Sequence, residues 1–551
     1  MRATTMTNSI SITRRLLAPL FLAAAAHAAV PGITGPTFNL TAQTAFLNQP
    51  DGNAVYSWGY GCDPAKAAPG FAPAAISGAT CPSMQVPGPT LIVTEGQTVT
   101  VNLSNGLPAA AGNTSILFPG FVVTASCPTS ATVGAPQQGL LTCEAVHGGT
   151  VTYTFVANSP GTHAYYSGTQ GDLQVEMGLY GAVVVLPANV PAVCTAGLPA
   201  TNPGNNAAAQ AHWGESDFRL AAAAFDNPRT CYDREYLFQW AEMDANIHRQ
   251  ALAQVSTPGV TTLNVPTEPY HPAYFLINGR SMPDLMDGNF AAEYPHQPYN
   301  ANPHIHPGEM MLVRAIGQGR WQHPFHEHAN HVRILARDGN MQLAQNPLSP
   351  GTPDPNGGLA GLLMFNTDTT PGEAFDGIFY FTGRGLNWDP YGHHPNDTSD
   401  SLASLGCTPD TNGYNTGAPT AVNYFEWCQD HNKPVEVTPI GDVPGGGPAT
   451  LPDPNIFTNG AWYGGTPYFG PDATIRGGGT QACASGAATA ASVCSTLQPA
   501  NTQANPNNER GWAFMWHSHN EREITTNNVF PGGVLMMMLV DSREFVIDES
   551  M

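Results

Sequence analysis

Two short stretches of the 551-residue chain concentrate side chains suited to holding a metal. They are His323-Pro324-Phe325-His326-Glu327-His328 and, about 190 residues further on, His517-Ser518-His519. Side chains on a β-strand alternate between its faces, so His326 and His328 point one way, and so do His517 and His519. If the two strands are neighbours, four imidazoles converge. Imidazole is the commonest side-chain ligand of copper, zinc, iron and nickel. A hydrogen-bonded histidine cluster without a metal is the alternative reading of the same spacing. Ser518 has its histidine neighbours on the opposite face, where they cannot readily take its proton, so a hydrolase nucleophile is not expected.

Other groups lie near these strands in sequence. Glu327, Glu521 and Glu523 would turn the pocket into a His/carboxylate site suited to iron, manganese or zinc, or would stand outside it. Glu523 or Glu521 is the expected proton shuttle. His304 and His306 form a third His-x-His pair and are expected to face solvent. His331 follows His328 at odd spacing, which a regular strand places on the other face. His393-His394, near Tyr391 and Asp397, reads as a solvated loop. Met536-Met537-Met538 reads as alternation in a buried strand.

The elements that must position these residues are strands. Gly 58 and Pro 50 are high counts that mark many turns, and few long segments have helical periodicity, so an all-β protein with long loops is expected. Leu91–Val93, Thr98–Leu103, Thr150–Val156 and Gly181–Leu186 read as strands of a first domain over 37–187. A linker rich in Ala, Asn and Gly follows at 188–211. A second domain over 212–545 has expected strands at 234–240, 273–277, 310–316, 331–336, 377–381, 512–519 and 534–540. Within it, 385–510 loses the pattern and is rich in Gly, Pro, Asn and Thr. It reads as an insertion stapled by disulfides, either a decorated loop, or a lid or a surface for another exported protein.

Arg2, Arg14 and Arg15 precede an apolar run that ends in Ala26-His27-Ala28, the pattern of a signal peptide over 1–28. Arg14-Arg15-Leu16-Leu17 also fits a twin-arginine signal, so the protein is expected in the periplasm or outside the cell, by either route. No later run approaches a membrane span. All 10 cysteines lie beyond the cleavage point, and their spacing suggests local disulfides: 62–81, 127–143, 194–231, 407–428 and 483–494. A net charge of -22 disfavours nucleic acid and anionic membranes as partners.

His323-Pro-Phe-His326-Glu-His328 resembles the His-Pro-x-His-x-His motif of multicopper oxidases, and His517-Ser518-His519 resembles their His-Cys-His motif. Val86-Pro87-Gly88-Pro89-Thr90, Val93–Val99, Gly178–Val185, Phe275–Arg280 and Pro307-Gly308-Glu309 are also similar to that family. The resemblance implies two Greek-key cupredoxin barrels, with the insertion in the second. It also implies adjacency of the two histidine strands. The departures matter as much. Leu117, Pro119, Tyr166 and Gly168 stand where the family's first-domain histidine ligands belong, so half of its trinuclear cluster is missing. Ser518 replaces the blue-copper cysteine, and a hydroxyl does not substitute for a soft thiolate. Glu523 stands where the second histidine of that site belongs, which leaves only His323 of its set.

His163 and Tyr166 lie near lost ligand positions and either replace a ligand or pack. The resulting expectation is an exported oxidoreductase with one copper site made by His326, His328, His517 and His519, without a blue centre. Zinc, manganese or iron are the alternative metals, and a small reductant or electron-transfer protein is the partner. The competing expectation is a copper-binding or structural protein that has lost catalysis.

Overall fold

The computed structural model describes residues 30–76, 78–128, 134–195, 216–354, 357–381, 408–409, 415–416, 466–468, 511–541, 547 and 549. Period-two alternation builds the first pair of sheets. Thr98–Asn105 and Thr150–Val156 bury every second residue and pair antiparallel, with Val101 opposite Tyr153. They sit in a sheet of order Ala54–Cys62, Thr37–Asn48, Thr98–Asn105, Thr150–Val156, Thr124–Ala125. A second sheet, ordered Gly161–Tyr166, Tyr180–Leu186, Leu91–Thr94, Gly32–Thr34, Gly70–Ala72, packs on it. Trp58, Leu91, Val101, Tyr153 and Val183 meet in the core between them.

The second pair of sheets is larger. One has the order Tyr274–Ile277, Arg234–Met243, Met310–Gly317, Ala374–Tyr380, Val332–Arg337, extended by two short strands at its edge. The other runs His304–Ile305, Leu535–Asp541, Gly511–Ser518, His323–Glu327, Asn366–Thr369. Phe238, Trp240, Phe325, Trp516, Met536 and Met538 fill the space between them. The protein is thus all-β with two barrel-like sandwiches, as the resemblance implies, and the strands expected in both halves are present.

Arg234–Met243 is buried along its whole length, because both of its faces are covered. Phe238 and Trp240 enter the second core, while Leu237 joins Ala164, Val184 and Ile316 in a layer between the two halves. A buried ionic contact crosses the same layer. Arg314 donates to Glu235 at 2.9 Å and to Asp376 at 3.1 Å, and Asp376 accepts from the Thr162 hydroxyl at 2.6 Å and its amide at 2.9 Å.

The helix Ala245–Val255 is not among the expected elements. Only Ile247, His248 and Ala251 of it are buried, too narrow a stripe to stand out in sequence. Ile247 and Ala251 complete the core of the first pair of sheets. Asp244 caps the helix, accepting from Asn246 N at 2.8 Å, and its other oxygen accepts from His271 N at 2.8 Å. Asp244→Ala is expected to lower stability by about 1–2 kcal/mol, measured by urea unfolding.

Disulfides Cys62–Cys81, Cys127–Cys143 and Cys194–Cys231 are formed, as local pairing predicts. The 407–428 and 483–494 pairs, the signal segment at 1–28, most of the linker and most of the insertion lie outside the described residues. Thr466–Tyr468 of the insertion adds to the edge of Gly511–Ser518. No helix among the described residues is long and apolar enough to cross a membrane.

Candidate metal centre

The strand His323–Glu327 pairs antiparallel with Gly511–Ser518, setting Phe325 opposite Ser518, His326 opposite His517 and Glu327 opposite Trp516. Directly opposed residues share a face of the sheet. His326 and His517 therefore lie on one face, with Phe325, Glu327, Trp516 and Ser518 on the other. His328 and His519 stand one residue beyond the strand ends, and the ladder carries on to them. His328 N donates to Met515 O at 3.3 Å, and His519 N donates to Pro324 O at 2.9 Å.

The four imidazoles meet on the outer face. The His326 ring centroid is 4.9 Å from His328, 5.2 Å from His517 and 4.8 Å from His519. The Nε2 atoms of His328 and His517 are 3.3 Å apart. One ring nitrogen from each of His326, His328 and His517 falls within a span of 4.8 Å. His326 and His517 are buried, His328 is half-buried and His519 is exposed, so the cluster opens on one side.

His326 Nδ1 is buried without a hydrogen-bond partner. Burial first, then the neighbouring His328, pushes the His326 pKa down to about 4. Burial likewise lowers that of His517. Both rings are neutral at pH 7, the form that offers a lone pair to a metal. An all-imidazole set with an orphaned nitrogen fits copper or zinc. Of the carboxylates that would favour iron or manganese, Glu327 faces away, while Glu521 is near enough to His517 to favour its charged form. Glu327 points into the core with neither oxygen hydrogen-bonded, and burial pushes its pKa well up. Glu521 is exposed.

His323 sits on the opposite face from His326 and does not join the cluster. Its Nδ1 donates to Glu523 Oε2 at 2.8 Å and its Nε2 to Glu242 Oε2 at 2.9 Å, with all three side chains fully buried. Burial opposes the charged ring, but the hydrogen bonds to Glu242 and then Glu523 outweigh it and raise the His323 pKa to about 9. A ring protonated at both nitrogens has no lone pair for a metal. The expectation that His323 is a ligand therefore does not match its surroundings. The reason is alternation: an odd spacing from His326 turns it inward.

Glu523 is also held from its other side. Ser518 Oγ donates to its Oε2 at 2.5 Å and Asn520 Nδ2 to its Oε1 at 2.9 Å, while Asn520 N donates to Ser518 Oγ at 3.1 Å. Glu242 Oε1 accepts from Arg320 N at 2.7 Å, Trp321 N at 2.9 Å and the Tyr270 hydroxyl at 3.1 Å. Sequence reasoning missed Glu242 and Tyr270, and no local spacing marks them, because they reach His323 only through the fold. Glu523 is not placed beside the imidazole cluster as a shuttle would be.

Of the first-domain positions that the resemblance marks as lost ligands, Leu117, Tyr166 and Gly168 lie together. Leu117 N donates to Tyr166 O at 2.7 Å, and Tyr166 N to Leu117 O at 3.3 Å. Leu117, Tyr166 and Gly168 line a cavity of about 440 Å³ between the two halves, closed by Gln318, Arg320 and Gly372. None of the four clustered histidines lines it. His163 is a packing residue: its ring lies 4.6 Å from that of Phe121 and its Nε2 meets Ser159 O at 2.9 Å.

His304 and His306, expected in solvent, are instead buried. The strand His304–Ile305 pairs with Leu535–Asp541, and Asp541 covers the His304 ring. His331 packs its ring 5.0 Å from Phe365, after Ala329 at φ 84° has turned the chain. His393-His394 lies outside the described residues.

Comparison with known proteins gives one family match and several distant structural likenesses. The multicopper oxidase family profile matches residues 79–190, and no curated protein matches the chain. Solved structures of similar course include the multicopper oxidase mgLAC, at 13% identity and TM-score 0.42, covering 92% of this chain and 86% of that one. A blue copper oxidase from Nitrosomonas europaea shows 14% identity and TM-score 0.42, covering 92% and 85%. A copper nitrite reductase from the same organism shows 17% identity and TM-score 0.35, covering 63% and 85%. The profile match includes Leu117, Tyr166 and Gly168. What the comparisons show is a match to the multicopper oxidase family over residues 79–190.

Proposed function

We propose that this is an exported copper-binding oxidoreductase whose metal centre is built from His326, His328, His517 and His519, with no blue copper. The observation that carries the reading is the strand register that sets His326 against His517 and brings three ring nitrogens within 4.8 Å. A bound copper would supply one-electron redox chemistry. The chain's own residues orient the imidazoles, keep His326 and His517 neutral, and leave His519 and His328 on the open side for a small reductant or an electron-transfer protein. Disulfides in the mature chain support export.

A second reading, a copper-binding protein without turnover, is favoured by one observation. The position of a blue centre is filled by the Glu242–His323–Glu523 contacts, which leaves no route of that kind for electrons.

Metal analysis with optical and electron paramagnetic resonance spectra tests both. About one tightly held copper per chain without an intense thiolate band is the expected result, since the six cysteines among the described residues are paired in disulfides and Ser518 stands between the histidines. Failure to retain metal after loading with copper and with zinc overturns the copper-centre reading. Bleaching of the copper signal by reductants or small phenols selects the oxidoreductase, and an inert signal selects the binding protein.

A further inference from the structure

We infer that the Glu242–His323–Glu523 clamp is a positioning device for the imidazole cluster, holding the Ser518–Asn520 segment, and with it His517 and His519, at the spacing where they meet His326 and His328. The inference rests on the reading that these four imidazoles bind metal. It assigns a role to a buried group of charges that the proposed centre does not otherwise use.

The geometry is continuous across the sheet. His323 opens the strand that carries His326. Glu523 lies in the short turn of 3₁₀ helix, Glu521–Ile524, that follows His519. The contact from His323 Nδ1 to Glu523 Oε2 therefore ties the start of one histidine strand to the turn beyond the end of the other. The same Oε2 takes the Ser518 hydroxyl, the residue between His517 and His519. Ser518 Oγ and Glu523 Oε1 each receive a hydrogen bond from Asn520. Glu242 closes the far side from Arg234–Met243, and two backbone amides fix that carboxylate.

Residues 518 to 520 thus have both hydroxyl and amide side chains anchored on one carboxylate. The two imidazoles on the other face inherit their placement from that anchoring, since side chains at 517 and 519 move with the backbone at 518. The His323–Glu242, His323–Glu523 and Ser518–Glu523 contacts are buried and run to a carboxylate, the condition in which a hydrogen bond fixes geometry most firmly; the two Asn520 bonds are part-buried. Groups that orient a ligand without touching the metal typically change affinity tenfold to a hundredfold when removed.

Ser518→Ala is the discriminating variant, because it deletes the tie to the histidine strand and leaves the His323–carboxylate contacts in place. The expected result is copper binding weakened about tenfold to a hundredfold, a broadened paramagnetic spectrum, and rescue by Ser518→Thr. Glu523→Gln should weaken it at least as much. Tyr153→Phe serves as the control for simple loss of stability. It deletes a buried hydroxyl bonded to Cys143 O in the first pair of sheets, and should lower the unfolding midpoint without changing copper affinity.

The metal-free protein gives a separate readout. In long-range proton–nitrogen spectra of the imidazoles, Ser518→Ala should shift His517 and His519 and leave His248 unmoved. Wild-type affinity and unshifted His517 and His519 rings in Ser518→Ala overturn the inference while leaving the copper centre standing. A wild-type chain that takes no copper overturns the centre. In that case the ring shifts alone decide whether the clamp positions the cluster.

Discussion

His517→Ala is expected to abolish stoichiometric copper binding, with affinity falling more than about a hundredfold, since even outlying groups are worth tenfold to a hundredfold. His517 occupies the centre of the cluster's geometry. It is the register partner of His326, its Nε2 lies 3.3 Å from that of His328, and its ring is 5.9 Å from His519. Removing it leaves ring nitrogens that no longer surround a common point. The fold should persist, because the ring faces away from the core that Trp516 and Phe325 fill. Equilibrium dialysis with copper, run beside His163→Gln, checks this. The first-half histidine is packed on Phe121, and its replacement should keep the copper. Full copper occupancy in His517→Ala, or turnover by a metal-free variant, would sink the assignment.

The second large effect is a loss of stability between about pH 6.5 and pH 9. A free histidine titrates near 6.5, and His323 in the folded protein titrates at about 9. The folded ring holds its proton more tightly than the unfolded one. The contribution is therefore complete below about 6.5, shrinks as pH rises through the window and is gone above about 9. A difference of roughly 2.5 units corresponds to something on the order of 3 kcal/mol. Other groups titrate in the same range, so the informative quantity is the difference from His323→Gln. Urea unfolding at half-unit intervals should show a steeper decline in the wild type than in the variant. Identical slopes across the window would remove the imidazolium from the account. The carboxylates give the sign its logic: two buried glutamates facing a neutral ring would be left with nothing to balance them.

Much of this was legible in the sequence because it depends on period two. The strands Thr98–Asn105 and Thr150–Val156 declare themselves by alternation, and so does the pairing of His326 with His328 on one face. The departure at Ser518 and Glu523 was legible too, by resemblance. What replaced the lost site was not. Glu242 lies in Arg234–Met243, a strand buried on both faces, where polar and apolar positions no longer alternate. Its partner His323 is 81 residues away. The burial of His304 and His306 was hidden for a similar reason. The pair was expected in solvent, but the covering residue Asp541 arrives from a strand 237 residues further on. Alternation says which way a side chain points, and only the assembled sheets say what waits there.

The helix Ala245–Val255 has a consequence for how the chain becomes compact. Ile247 and Ala251 belong to the core of the first pair of sheets, although they follow Arg234–Met243, the strand that lies at the heart of the second. During synthesis the first half therefore emerges with an open flank. The side chains that cover that flank come from beyond the linker. Fragments cut between the halves would carry an exposed apolar surface on one piece and an unsupported helix on the other. The two sandwiches are separate in topology, but the core of the first is completed by residues that follow the linker.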